Sequence, residues 1–240
     1  MNKITKYITL SSVMLLLILS DVAMAQSHSD TANELTNIFR AARKVVSVNQ
    51  AHINDASIGD KGLSADVVAN KTKANFKEAT GKALKVNTDA KKAMIRAVKD
   101  VMDENQDLIN EPDIGLKGFL PAIFARQVAN KFTSHMNGKM KIKLTAPKKY
   151  VRNRANRPDK WEANIIESLF KKADYVKGKA FSENTKYKGK NVFRFILPEY
   201  YGKSCLSCHG KPKGARDITG GKKEGGVLGE LGGAISLVIY

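Results

Sequence analysis

The chain has 240 residues, 42% of them hydrophobic and 27% charged, and its 41 Lys and Arg outnumber 23 Asp and Glu for a formal charge of +18. This apolar share supports a real core in one large or two small domains, and it excludes wholesale disorder, a disulfide-dense miniprotein and a multi-span membrane protein. The charge points to an anionic partner, whether nucleic acid, a membrane surface or an acidic protein, and says nothing about fold.

Residues 1–25 carry Lys3 and Lys6, then the apolar run Val13-Met14-Leu15-Leu16-Leu17-Ile18-Leu19, and end in Ala23-Met24-Ala25. This is the pattern of a secretory signal cleaved before Gln26. The dense run is far shorter than the roughly 20 residues of a spanning helix, and Asp21 follows it, which argues against a retained anchor. Loss of Lys3, Lys6 and Asp21 takes the charge from +18 to +17. The mature chain has no further stretch able to span a bilayer. Export to the periplasm leaves nucleic acid out as a partner.

Residues 30–50 place Leu35, Ile38, Phe39, Ala42, Val45 and Val46 at helical spacing, with Asp30 as the expected N-cap. A loop from Asn54 leads to an exposed helix over 65–80. A second amphipathic helix, capped by Asn87 or Thr88, presents Ala93, Met94, Ala97, Val98, Val101, Met102, Leu108 and Ile109 before Glu111-Pro112 ends it. Pro121 opens a helix with Ile123, Phe124, Val128 and Phe132 on its apolar side, and Asn137-Gly138 is a turn. The period then changes to two at Lys141-Ile142-Lys143-Leu144-Thr145, a strand. A polar loop over 152–160 precedes a helix over 161–172 burying Trp161, Ile165, Ile166, Leu169 and Phe170. Strands are expected over 178–184, 191–197 and 233–240, the first two joined by a Lys/Gly turn. Helices first and antiparallel strands later argue an α+β fold.

Both cysteines fall in one pentapeptide, Cys205-Leu206-Ser207-Cys208-His209, the C-x-x-C-H pattern of c-type haem attachment. Two thiols three positions apart can add across two vinyl groups of one porphyrin edge, and the adjacent imidazole can then bind iron. One covalent haem c, anchored by Cys205 and Cys208 with His209 as metal ligand, is the expectation. A thioredoxin-like redox pair would need a βαβ context, structural zinc would need further ligands, and a plain disulfide leaves His209 without a role. His28, at the mature terminus, is set aside as disordered. His52, His135, Met94, Met102, Met136 and Met140 are the candidates for a sixth ligand, and an open site is the alternative.

The flanks extend the motif. Lys117-Gly118-Phe119-Leu120-Pro121-Ala122-Ile123-Phe124-Ala125-Arg126, Lys141-Ile142-Lys143-Leu144-Thr145-Ala146-Pro147, Arg152-Asn153-Arg154-Ala155-Asn156-Arg157-Pro158-Asp159-Lys160-Trp161-Glu162 and the closing Gly232-Gly233-Ala234-Ile235-Ser236-Leu237-Val238-Ile239 resemble the Tll0287-like family of c-type haem domains. The resemblance covers most of the mature chain. It implies a PAS-like antiparallel sheet carrying haem c over 111–240, with a helical segment over 26–110 packed on it. Some members carry a distal cysteine thiolate in the first helix. Val46 stands in that place here and cannot ligate iron, which implies a raised reduction potential and an open site lined by Val46, or another ligand. Phe124 joins Val46 among the haem-lining candidates. Arg152, Arg154 and Arg157 are candidate donors to haem propionates, and Trp161 a candidate to pack on the ring or in the core; solvated charges on a structural turn are the alternative.

These readings converge on a periplasmic monohaem protein that acts in electron transfer with an acidic redox partner or as a redox- or gas-responsive module. A five-coordinate sensor taking a small gaseous ligand is the alternative. A haem enzyme, which would need His52 or His135 as distal acid or base, ranks last.

Overall fold

The computed structural model describes residues 3–240, with side chains from Met24 onward. The signal reading of 1–25 therefore falls, apart from Met24 and Ala25, on side chains outside the described residues. Among the described residues no helix is long and apolar enough to cross a membrane.

The first helix, α1, runs unbroken over Lys3–Val48. Asp30 is not its cap: the helix passes through it, and its carboxylate accepts the Gln26 amide one turn upstream at 2.9 Å. A single turn, α2, covers Gln50–Ile53. The next helix, α3, covers Ala65–Thr80, with Ser64 accepting from the Val67 N–H and Gly81 closing it at φ 70°. Thr88 caps α4, Asp89–Glu104, by accepting from the Lys91 N–H. The helix expected to reach Ile109 instead breaks at Asn105, whose amide donates to the Val101 carbonyl at 2.7 Å and competes for the ladder. A short α5, Gln106–Asn110, follows, and the break turns Leu108 outward at 40% exposure while Ile109 stays buried. The helix α6, Pro121–His135, has Pro121 in its first turn and ends ahead of left-handed Asn137 and Gly138.

Four strands follow the expected order: β1 Met140–Thr145, β2 Phe181–Tyr187, β3 Lys190–Tyr200 and β4 Leu231–Ile239. They form one antiparallel sheet in the order β1-β4-β3-β2. Between β1 and β2 lies α7, Lys160–Asn164, opened by a capping box of Asp159 and Glu162 and continued as a π-helical turn over Ile165–Leu169.

Alternation along β3 assigns the two faces. Phe193, Phe195 and Leu197 join Leu35, Phe39, Met94 and Phe132 in the main core, while Ile196 meets Ile165, Ile166 and Phe170 of the α7 layer. A strand covered on both sides is apolar without alternation, which is why this segment reads as an unbroken hydrophobic run. Arg194 is the exception. At 2% exposure it pairs with Asp159 at 2.8 Å and Glu162 at 3.3 Å and lies over the Trp161 ring at 4.2 Å. The main core runs from Ala32 to Ile239 and crosses residue 110 without interruption, so the helices and the sheet share it.

Candidate haem site

The site forms where β3 ends. A 3-10 turn over Lys203–Cys205 leads into α8, Leu206–His209. Cys205 and Cys208 are half-buried free thiols. Three positions apart on one helical turn, they leave it on the same face. Gly210 takes the chain away at once, and a Cβ there would be driven into the Leu206 carbonyl. The turn sits beside the last turn of α1, where the Ser47 and Ser204 hydroxyls are 2.8 Å apart.

His209 is held from two sides. Its ring stacks on Tyr201, centroids 5.4 Å apart and 18° between planes. The Tyr201 ring is in turn lodged against Gly226 and Gly232, where any Cβ would collide with it. The Gly226 N–H donates to the His209 carbonyl at 2.8 Å. On the other side, His209 Nδ1 lies 2.9 Å from Glu224 Oε2. Burial works against the charge on Glu224, but hydrogen bonds from Arg152 and His209 outweigh it and hold the carboxyl below its usual range. An ionised carboxylate only accepts, so Nδ1 carries a proton, and in the neutral imidazole the lone pair is on Nε2.

Arg152 ties this together. Its guanidinium bonds both Glu224 and Asp217, and its third nitrogen donates to the carbonyls of Cys208 at 2.7 Å and Lys222 at 3.0 Å. Burial opposes its charge and the two carboxylates outweigh that, so its pKa is raised. Asp217, despite its own burial, is lowered to about 2 by the Thr219 hydroxyl and Arg152. Arg152, one of the three candidate propionate donors, is thus engaged in positioning the motif.

The other candidates scatter. Arg154 and Arg157 are exposed on the loop after β1 and form no ion pair among the described residues, so their guanidinium groups are available. Trp161 lies in the α7 layer, its indole donating to Glu183, its ring beside Phe181 at 6.2 Å. Val46, expected to line an open site, is 1% exposed inside the main core, because it continues the buried arc of Leu35, Phe39 and Ala42; Ser47 is the residue that meets the motif. Phe124 is equally buried, edge-to-face with Phe119 at 5.9 Å. His52 Nε2 donates to the Lys61 carbonyl at 2.9 Å, and His135 lies 2.6 Å from Asp100. Met94 and Met102 are fully buried. Met140 pairs with Ile239 opposite Phe193, at the far end of the sheet from the motif, and Met136 lies just before it in sequence. His28, set aside as terminal disorder, is inside α1 and packs on Phe193 at 5.5 Å. Glu224 and Tyr201 are not legible in the sequence; Gly226 and Gly232, which make room for the Tyr201 ring, are the one signal that bears on Tyr201.

Two free thiols beside an imidazole whose Nδ1 is anchored and whose Nε2 has no hydrogen-bond partner among the described residues form the donor set that haem c requires, so the residues fit the group. The sequence model of the Tll0287-like family matches residues 21–239. The chain belongs to the Tll0287-like family. Membership in this c-type haem family fits a cytochrome-like role for the Tll0287-like chain. No curated protein and no solved structure matches it.

Proposed function

We propose that the protein is a periplasmic monohaem c-type redox protein, with Cys205 and Cys208 as thioether anchors and His209 Nε2 as proximal ligand. Its sheet would then be the PAS-like haem-bearing unit, covered by the helices of 26–110. The bound haem supplies one-electron chemistry at iron. The observation that carries the reading is the Glu224–His209 contact, an anchoring that a purely structural histidine would not need beside two free thiols. The carboxylate orients the imidazole through Nδ1, Tyr201 fixes the ring plane, and Arg152 holds the turn that bears both thiols. The excess of basic residues steers acidic redox partners towards the molecule.

A second reading, a five-coordinate sensor of small gaseous ligands, is favoured by the occupation of His52 and His135 in other hydrogen bonds. Absorption spectra of the reduced protein with and without carbon monoxide separate the two. A low-spin spectrum unchanged by carbon monoxide supports electron transfer. A high-spin spectrum that shifts on addition of the gas overturns it in favour of the sensor.

A further inference from the structure

The far end of the sheet is built differently from the end that carries the motif. Two rods run the length of the molecule, and both join the haem motif to the same distant rim. Along α1, His28 packs on Phe193 and Ser47 meets Ser204, 19 residues later, a span of ~28 Å at ~1.5 Å per residue. Strand β3 runs from Lys190 to Tyr200, a span of ~34 Å at ~3.4 Å per residue, and the motif follows directly.

At the rim far from the motif, five exposed lysines surround two tyrosines. Lys141 and Lys190 lie over the Tyr240 ring at 5.4 and 6.0 Å, Lys188 over Tyr187 at 5.5 Å, and the two rings are 6.4 Å apart. The Lys139 carbonyl accepts from the Tyr240 N–H at 3.0 Å, and Lys186 shares a shallow crevice with His28, Asn191 and Tyr240. Among the described residues none of the five takes part in an ion pair, whereas neighbouring Lys143 is paired with Glu162. The segments 138–144 and 184–193 contain no acidic residue.

We infer that this lysine–tyrosine rim docks the protein on the anionic headgroups of a bilayer, with the haem motif turned away from the surface. Unpaired lysines interleaved with tyrosines match an interface that is anionic at the headgroups and apolar just beneath. A protein redox partner is the weaker occupant: bound here it would sit some 30 Å from the motif, as set by the α1 rise, where electron tunnelling is slow. The orientation rests on the haem assignment above, but the docking does not.

The test uses the mature protein and sedimentation with vesicles of phosphatidylcholine alone or mixed with phosphatidylglycerol. Each lysine at an anionic surface multiplies partitioning about fivefold. The K186Q/K188Q/K190Q variant should lose about 100-fold in affinity for phosphatidylglycerol vesicles, K139Q/K141Q about 25-fold, and K71Q/K73Q/K77Q, an equal charge change on exposed positions of α3, little. Retained circular dichroism checks the fold. Equal losses in the two triple variants, or no preference for phosphatidylglycerol at low salt, overturn the proposal. So does capture of an acidic protein by the same lysines without vesicle binding. A pyridine haemochrome spectrum reports separately on the haem assignment.

Discussion

His209 Nδ1 and Glu224 Oε2 stand 2.9 Å apart, and through Arg152 the same carboxylate is tied to the Cys208 carbonyl. One acidic residue thus sets both the tautomer of the imidazole and the position of the turn that carries the thiols. Replacing it with the less basic amide weakens electron donation through the ring without emptying the site. Glu224→Gln should raise the reduction potential by roughly 60 mV, the equivalent of about tenfold in a one-electron equilibrium. Redox titration followed by absorbance checks this, and an unchanged potential removes Glu224 from the account.

Arg152 and Arg154 are two residues apart with opposite expectations. Arg152→Leu leaves Asp217 and Glu224 without their cation and frees the Cys208 carbonyl. The guanidinium is 31% exposed, so solvent discounts the loss to about 1–2 kcal/mol. Arg154→Leu, on an exposed side chain, should stay within about 0.5 kcal/mol of the parent. Urea unfolding of both variants checks the contrast.

The buried ion cluster under β3 gives a larger effect. Arg194→Ala takes one of two cations from the Glu162 carboxylate, which is 1% exposed and keeps Lys143 at 2.9 Å, and should cost about 3 kcal/mol, the low end for a broken buried pair. The double variant Arg194→Met/Glu162→Leu removes both charges but also half of the Asp159–Glu162 capping box and the Lys143 partner, so it should recover only part of that loss, as thermal unfolding would show.

Acid should loosen the molecule in a defined window. Asp217 is lowered from 3.8 to about 2, and Asp159, opposed by burial but held by Arg194, is also lowered. A carboxyl depressed on folding contributes stability that is full above its unfolded pKa and is lost as pH falls through its folded one. Stability should therefore be flat above about pH 5 and decline between pH 4 and 2. Asp217→Asn should flatten part of that decline in denaturation curves measured across the range.

Local signals were the legible part of this chain. Thr88, Ser64 and Pro121 start helices because capping and a fixed φ are decided within a few residues, and the C-x-x-C-H spacing states its chemistry in one helical turn. Long-range relations were not legible. Asp30 looked like a cap only because the helix upstream was read as a separate segment. The break at Asn105 depends on a side chain competing for the backbone, so Leu108 was misread as core. Arg152 was placed near the haem by its residue type, yet its partners Asp217 and Glu224 lie 65 and 72 residues away, beyond any spacing rule. Val46 marks the same limit: its position in the string suggested a lining role, while the arc of α1 that it belongs to faces the core.

The proposed function stands on one haem held covalently by Cys205 and Cys208. The intact mass of the exported protein, measured under denaturing conditions that strip unattached haem, tests it most directly. The expected mass is the mature polypeptide plus one haem, and the bare polypeptide for the Cys205→Ser/Cys208→Ser variant. A parent protein with the mass of the bare polypeptide, expressed where haem attachment operates, would contradict it.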